Sequence, residues 1–308
     1  MARYVKVTAI TFPGAGARGS AEKRVQSNVK MLADLVDQAG AGKPDIICLT
    51  EFCNVLGLNE KEWIAAAEPV PGPTTEALGK ISRRHNCYLI IGMPQKIGKR
   101  IYNSAVLLGR DGQPIGAYHK VHPTIGEIEA GITPGTEYTV LETDFGKIGF
   151  AICFDLNFRD VGEGAFKNGA EILFFSSMYH GGLQNQIWAH DFHYFFVSAL
   201  PREGSRIVDP IGRVIVESQL HYPFAEATIN LDCVVCHIDY NNQYWKPVRE
   251  KYREQVEIDV RSDEAKFILY SHHPEVSAME IAREFGMRTL DEYWALEKKT
   301  RNAALRKR

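Results

Sequence analysis

What most constrains this chain is a repeated change of hydrophobic period. Apolar residues alternate with polar ones over a short run, then recur at helical spacing, then alternate again, so strands and helices take turns along the sequence. That order excludes an all-helical bundle and an all-strand sandwich, and it predicts a layered α/β fold. Residues 5–11 read as a strand, Ser20 as the cap of a helix over 21–38, and 45–50 as a buried strand with Glu51 at its carboxyl end. Residues 74–85 read as a helix and 88–93 as a strand. The runs 102–108 and 115–118 flank a turn at 110–113 as a hairpin, with Lys120 just beyond it.

The second half has a similar element order. A strand over 138–141 and a turn at 144–146 precede the buried strand 148–153, which ends in Cys153. A helix over 160–168, a strand over 171–175, a helix over 184–193 and short strands over 195–199, 206–208 and 214–218 follow, with Gly212 turning the chain before the last. No Pro/Ser/Gly-rich linker divides these segments, so residues 1–240 are expected to form one domain of two similar halves. Residues 241–308 are more charged. With helices expected over 245–254 and 290–308, they read as a C-terminal extension packing on the domain or on a partner subunit.

Charge narrows the partners. The 308 residues carry 36 Lys and Arg against 38 Asp and Glu, a net of −2, which leaves no basic surplus for nucleic acid or an anionic membrane. No apolar run approaches the length of a membrane span, and residues 1–9 alternate rather than forming the apolar core of a signal peptide, so a cytoplasmic location is expected. In that compartment the six cysteines stay reduced and serve packing or chemistry.

Two motifs suggest cofactors and are set aside. Gly14, Gly16 and Gly19 match a dinucleotide-binding loop between strand and helix, but Pro13 separates the strand from the first glycine and Ser20 takes the cap. The acidic residue such a site needs about 20 positions on is also misplaced, because Glu51 follows Gly19 by 32. Cys233, Cys236 and His237 match a haem-attachment pattern, yet residues 227–238 alternate like a strand, and no further pair of soft ligands at zinc spacing is apparent. No cofactor and no metal are expected.

Cys153 differs from the other thiols in standing at the carboxyl end of a buried strand, where an open α/β sheet presents residues to its crevice. Glu51 stands in the same kind of position. A carboxylate there faces solvent, a functional crevice or a buried partner, and Lys120 is the candidate partner. A plain Glu–Lys ion pair would account for those two without Cys153.

Glu51, Lys120 and Cys153, in this order, resemble the nitrilase-like carbon–nitrogen hydrolase superfamily. The resemblance runs through Pro44 to Glu51, through Tyr102, Asn103 and Ser104 to Lys120, His122 and Pro123, through Gly146 to Asp155, then Gly169 to Leu173 and Asp209 to Val214. It implies a four-layer α-β-β-α sandwich, a homodimer or higher homo-oligomer, and no cofactor. It further implies Cys153 as nucleophile, Glu51 as general base and Lys120 as the cation opposite the oxyanion. The second glutamate of many members has two candidates, Glu127 and Glu129, of which the spacing to Gly131, Pro134 and Gly135 favours Glu127. Nitrile-cleaving members typically follow the cysteine with Trp-Glu, whereas Phe154 and Asp155 look like the amidase and N-carbamoyl-amine branches. A small amide or carbamoyl compound is therefore the expected substrate. The backbone N–H of Phe154 is a second candidate oxyanion donor, and Phe154, Met178, Tyr179, Trp188 and His190 are candidate substrate contacts. Exact substrate, chirality, and hydrolysis as against acyl transfer are not legible at this level.

Overall fold

The computed structural model describes residues 2–202 and 204–306. In chain order, the first half runs β1 (Tyr4–Ile10), α1 (Ala21–Gly40), β2 (Ile46–Cys48), α2 (Glu60–Ala65), α3 (Pro73–His85), β3 (Tyr88–Ile97), β4 (Arg100–Leu108), β5 (Pro114–His119) and α4 (Ile125–Ala130). The second runs β6 (Val140–Glu142), β7 (Lys147–Ile152), α5 (Arg159–Lys167), β8 (Ile172–Ser176), α6 (Leu183–Phe192), β9 (Phe195–Ala199), β10 (Arg206–Val208), β11 (Val214–Glu217) and β12 (Phe224–Asn230). Ser20 does cap α1, accepting from the Lys23 N–H.

Two six-stranded sheets result, ordered β12-β1-β2-β3-β4-β5 and β11-β10-β9-β8-β7-β6. Each combines a parallel core, β1-β2-β3 in one and β7-β8-β9 in the other, with antiparallel strands beside it, β4 and β5 in the first and β6, β10 and β11 in the second. Helices cover one face of each. On the first sheet, Leu32, Leu35 and Val36 of α1 and Leu78 and Ile81 of α3 bury against Ile47, Leu89, Ile91, Val106 and Leu108. On the second, α5 and α6 play that part: Gly149 of β7 lies so close to Ala165 of α5 that a Cβ there would meet the alanine methyl at 3.1 Å. The uncovered faces meet each other, where Thr50 Oγ1 donates to the Ser177 carbonyl and Ser176 Oγ to the Leu49 carbonyl. The architecture is the four-layer α-β-β-α sandwich.

The chain parts into two compact units, residues 5–228 and a second made of residues 1–4 with 229–308, instead of dividing at 240/241. The alternation over 227–238 is broken at Leu231 and Asp232 into β12 and a new strand, β13 (Cys233–His237), whose partner lies in the tail. The second unit continues with α7 (Trp245–Tyr252), β14 (Val256–Arg261), β15 (Lys266–Ser271), α8 (Ala278–Glu284) and α9 (Leu290–Leu305). Its sheet, β13-β15-β14, is antiparallel and has its own core of Val234, Cys236, Val248, Ile258, Phe267, Leu269 and Ile281. The haem-like cysteines are strand residues here, opposite Tyr270 and Phe267. No helix among the described residues is long and apolar enough to cross a membrane.

Candidate active site

Glu51, Lys120, Glu127 and Cys153 come together at the carboxyl ends of β2 and β7. The ladder of β2 ends at Cys48, with the Leu49 N–H still reaching the Ile90 carbonyl. The chain then turns sharply, Phe52 adopting φ 49°. Gly92 of β3 makes room for this turn, since a Cβ there would sit 2.3 Å from the Thr50 carbonyl oxygen and 2.7 Å from the Glu51 Cα. Lys120 continues β5 by one residue, its N–H bonded to the Asn103 carbonyl and its carbonyl to the Gly135 N–H. Glu127 occupies the first turn of α4, where its Oε2 accepts from the Thr124 N–H at 2.7 Å while Thr124 Oγ1 caps the Glu127 N–H.

All three charged side chains are buried, at 5% exposure or less. Lys120 Nζ lies 2.9 Å from Glu51 Oε1 and 2.8 Å from Glu127 Oε2. Asn103 Nδ2 donates to Glu51 Oε1 and Glu127 Oε1, both at 2.7 Å, so its two hydrogens hold the two carboxylates in place. The remaining oxygen, Glu51 Oε2, receives the Met178 N–H at 2.9 Å. Burial opposes the Lys120 charge, but Glu51, Cys153 and Glu127 together overcome it and raise the ammonium's pKa well above the usual lysine range. Burial likewise opposes ionisation of Glu127, yet Lys120, the Thr124 N–H and Asn103 hold its carboxyl below the ordinary value.

Cys153 directly follows β7 and is half-buried, with φ 48°, a left-handed conformation rare for a residue with a side chain. Burial, aided by the Glu51 charge, pushes its thiol up to about 12, against the opposing pull of Lys120 and the Met178 N–H. Of the other described cysteines, Cys233 is also half-buried but lies within β13. Cys48, Cys53, Cys87 and Cys236 are buried, and burial pushes Cys48 and Cys236 to about 12 and Cys87 to about 11.

A cavity of about 150 Å³ opens onto Glu51, Lys120, Glu127 and Cys153, walled by Phe52 and Trp63. Met178 borders both it and a larger cavity of about 920 Å³, whose walls include Tyr179, His180, Arg202 and Glu217. Met178 and Tyr179 thus line these cavities. Trp188 does not: it is 4% exposed and packs edge-on against Phe192 and over Gly162, because α6 turns this face onto α5. His190, on the same helix, reaches Asp191 and lines neither cavity. The Phe154 ring stands edge-on to Phe158. Among the described residues no group of His, Cys, Asp or Glu side chains is arranged to hold a metal ion. Gly14, Gly16 and Gly19 all have positive φ in an irregular segment before α1.

Sequence reasoning missed Asn103 as a site residue. The available signal was two adjacent polar residues, Asn103 and Ser104, leading into the apolar run Ala105 to Leu108; the structure buries both fully.

Residues 15–233 match the family model of the carbon-nitrogen hydrolases, and the chain belongs to that family. It is 30% identical over 200 residues to a beta-ureidopropionase of Arabidopsis thaliana, covering 57% of this chain and 47% of the relative, so the chain spans about half the length of that protein. To omega-amidase NIT2 of Xenopus tropicalis it is 26% identical over 231 residues, 67% of this chain and 83% of the relative. Among solved structures it is similar to Nit3 of Saccharomyces cerevisiae, a nitrilase-superfamily member, with TM-score 0.66 and 19% identity over 82% of this chain and 95% of that one. An amidase from Nesterenkonia sp. gives TM-score 0.64 and 15% identity over 80% and 96%. The fold is that of the nitrilase superfamily.

Proposed function

We propose that this protein hydrolyses a carbon–nitrogen bond of a small amide or N-carbamoyl compound through a thioester on Cys153. The observation that carries this reading is a half-buried thiol, on a left-handed turn at a strand end, beside a buried carboxylate–ammonium–carboxylate row. With its pKa at about 12, the thiol is overwhelmingly protonated at neutral pH, so attack needs a base acting in the same step. Glu51 supplies it. Its Oε1 is committed to Lys120 and Asn103, which leaves Oε2 as the proton acceptor.

As sulfur bonds to the substrate carbonyl carbon, the thiol proton passes to Glu51 and negative charge collects on the carbonyl oxygen. Lys120 and the Phe154 N–H stabilise that oxyanion, each such donor being worth about 3 kcal/mol in comparable sites. Collapse breaks the carbon–nitrogen bond, with Glu51 returning its proton to the departing nitrogen. Water then attacks the thioester, Glu51 takes one of its protons, and the acid leaves as the thiol is restored. Glu127 keeps Lys120 charged and aimed throughout.

The 150 Å³ cavity suits an amide or carbamoyl head, and the larger space past Met178 suits the rest of the molecule. The relatives named an omega-amidase and a beta-ureidopropionase support this class. Homo-oligomeric assembly in the cytoplasm is part of the same proposal, checked by light scattering and fractionation. For the activity, purified protein is incubated with small primary amides, N-carbamoyl amino acids, carbamoylated amines and nitriles, with ammonia measured and intact mass used to detect an acyl adduct. Ammonia from an amide or carbamoyl class, with an adduct mapped to Cys153, is expected. Release from nitriles alone, or none in any class, overturns the reading.

A further inference from the structure

Beneath the site lies a carboxylate that the chemistry above does not use. Asp155 is fully buried and accepts three hydrogen bonds. Its Oδ2 receives the Tyr118 hydroxyl at 2.7 Å and the Ile152 N–H at 2.9 Å, and its Oδ1 receives the His122 N–H at 2.8 Å. Ile152 is the residue before Cys153, so one oxygen pins the left-handed turn that carries the thiol. Tyr118 and His122 flank Lys120 on either side, so the same carboxylate pins the segment that carries the ammonium. The Tyr118 hydroxyl also approaches the Val121 N–H at 3.4 Å, closing the brace around Lys120. Tyr118 is itself fully buried.

A charge in this place is expensive, and burial does raise the Asp155 pKa above the usual carboxylate range. An apolar residue would fill the space without that cost. A buried carboxylate whose donors come from both sides of the reacting pair is instead suited to fixing their separation, and a misplacement of about 1 Å in such a pair costs on the order of 10²-fold in rate.

We propose that Asp155 is a positioning residue that sets Lys120 against Cys153, by clamping the Tyr118–His122 segment to the turn at Ile152 and Cys153. Its effect on turnover rests on the function proposed above, but its effect on the thiol does not. Lys120 is a charge that holds the Cys153 pKa down, so loosening it lowers the thiolate fraction at fixed pH.

The test uses the full-length protein with Asp155→Asn, which keeps the volume, and Tyr118→Phe, which removes the hydroxyl that donates to Asp155 and accepts from the Val121 N–H. Iodoacetamide labelling of Cys153 is followed at pH 9 by peptide mass mapping, alongside circular dichroism and thermal melts. Labelling about 3- to 10-fold slower in Asp155→Asn, and slower by a smaller factor in Tyr118→Phe, with the fold retained, is the expected result. If turnover has been found, kcat falls by a larger factor than KM changes. Unchanged labelling in both variants overturns the clamp. So does faster labelling, which would show that Asp155 merely keeps the fold closed over the thiol. Tyr118→Phe keeps the test decisive if Asp155→Asn does not fold.

Discussion

Glu51 and Cys153 leave the parallel cores of two similar sheets, and at each exit one residue turns left-handed, Phe52 at φ 49° and Cys153 itself at φ 48°. The groups placed there differ. The first half contributes Glu51, Lys120, Glu127 and Asn103, all buried and hydrogen-bonded to one another at 2.7 to 2.9 Å. The second half contributes a half-buried thiol and the Met178 N–H. The polar half therefore contributes to the fold as well as to the chemistry, while Cys153 is removable without leaving a charge behind. Similar backbones have been given dissimilar duties.

Removing Cys153 and removing Lys120 break this comparison most sharply. Cys153→Ala is expected to lower turnover by about 10⁴-fold or more and to abolish any acyl adduct while leaving the melting temperature nearly unchanged. Lys120→Ala also abolishes turnover, but it leaves two buried carboxylates facing each other without their cation. A loss of about 3–5 kcal/mol of stability follows. Ammonia release together with denaturant unfolding checks both variants, and equal stability would show that the row is not what holds this end of the sheet together.

Glu51→Gln sharpens the comparison, because it separates reactivity from turnover. Loss of the base lowers turnover by about 10³-fold. The Glu51 charge is also one of the causes that raise the Cys153 pKa, so neutralising it moves the thiol down from about 12 and makes alkylation at pH 9 faster. A dead enzyme with a more reactive cysteine is expected. Unchanged alkylation would show that the Glu51 charge does not act on the thiol, and slower alkylation that Glu51 takes the thiol proton in this reaction too.

The two halves were not equally readable. Alternating period located most elements of residues 5–228, though not α2 or α4, and the strand-end rule singled out Glu51 and Cys153, because both depend on local pattern. The tail was read as helices alone. Its strands β14 and β15 are short and carry Glu257, Asp259 and Arg261 among their apolar residues, and their pairing with β13 depends on contacts distant in sequence. Trp188 was misread for a related reason. A helix position shows that a side chain has a face to bury but not which of two neighbours receives it, and here α5 does. Asp155, and for the most part Asn103, carry their meaning in three dimensions, through donors and acceptors that lie 24 to 52 positions away or within one turn.

Glu127 gives a smaller effect with a definite pH signature. Glu127→Gln keeps the shape and lowers turnover by about 10²-fold or less, through Lys120 placement. Its folded pKa lies below the ordinary 4.5, so the wild-type carboxylate contributes stability that is fully present above pH 4.5 and is lost as the pH falls through the folded value. The gap in melting temperature between wild type and Glu127→Gln should therefore narrow as the pH drops from 6.5 to 3.5. A constant gap would mean that the charge of Glu127 adds nothing to the row.

The smallest effect is expected two residues further on. Glu127 and Glu129 were both candidates by sequence, but on a helix two positions are about 200° apart, so only one of them can face Lys120. The cap decides which. Thr124 starts α4 and receives Glu127 as its third residue, which turns that carboxylate inward to the Thr124 N–H and Lys120, and leaves Glu129 exposed. Glu129→Gln should change stability by no more than about 0.5 kcal/mol and kcat/KM by less than about twofold, measured beside Glu127→Gln in the same assay. If instead Glu129→Gln proves the more damaging of the two, the helix presents its other face during the reaction, and the row from Glu51 through Lys120 to Glu127 is not the working arrangement.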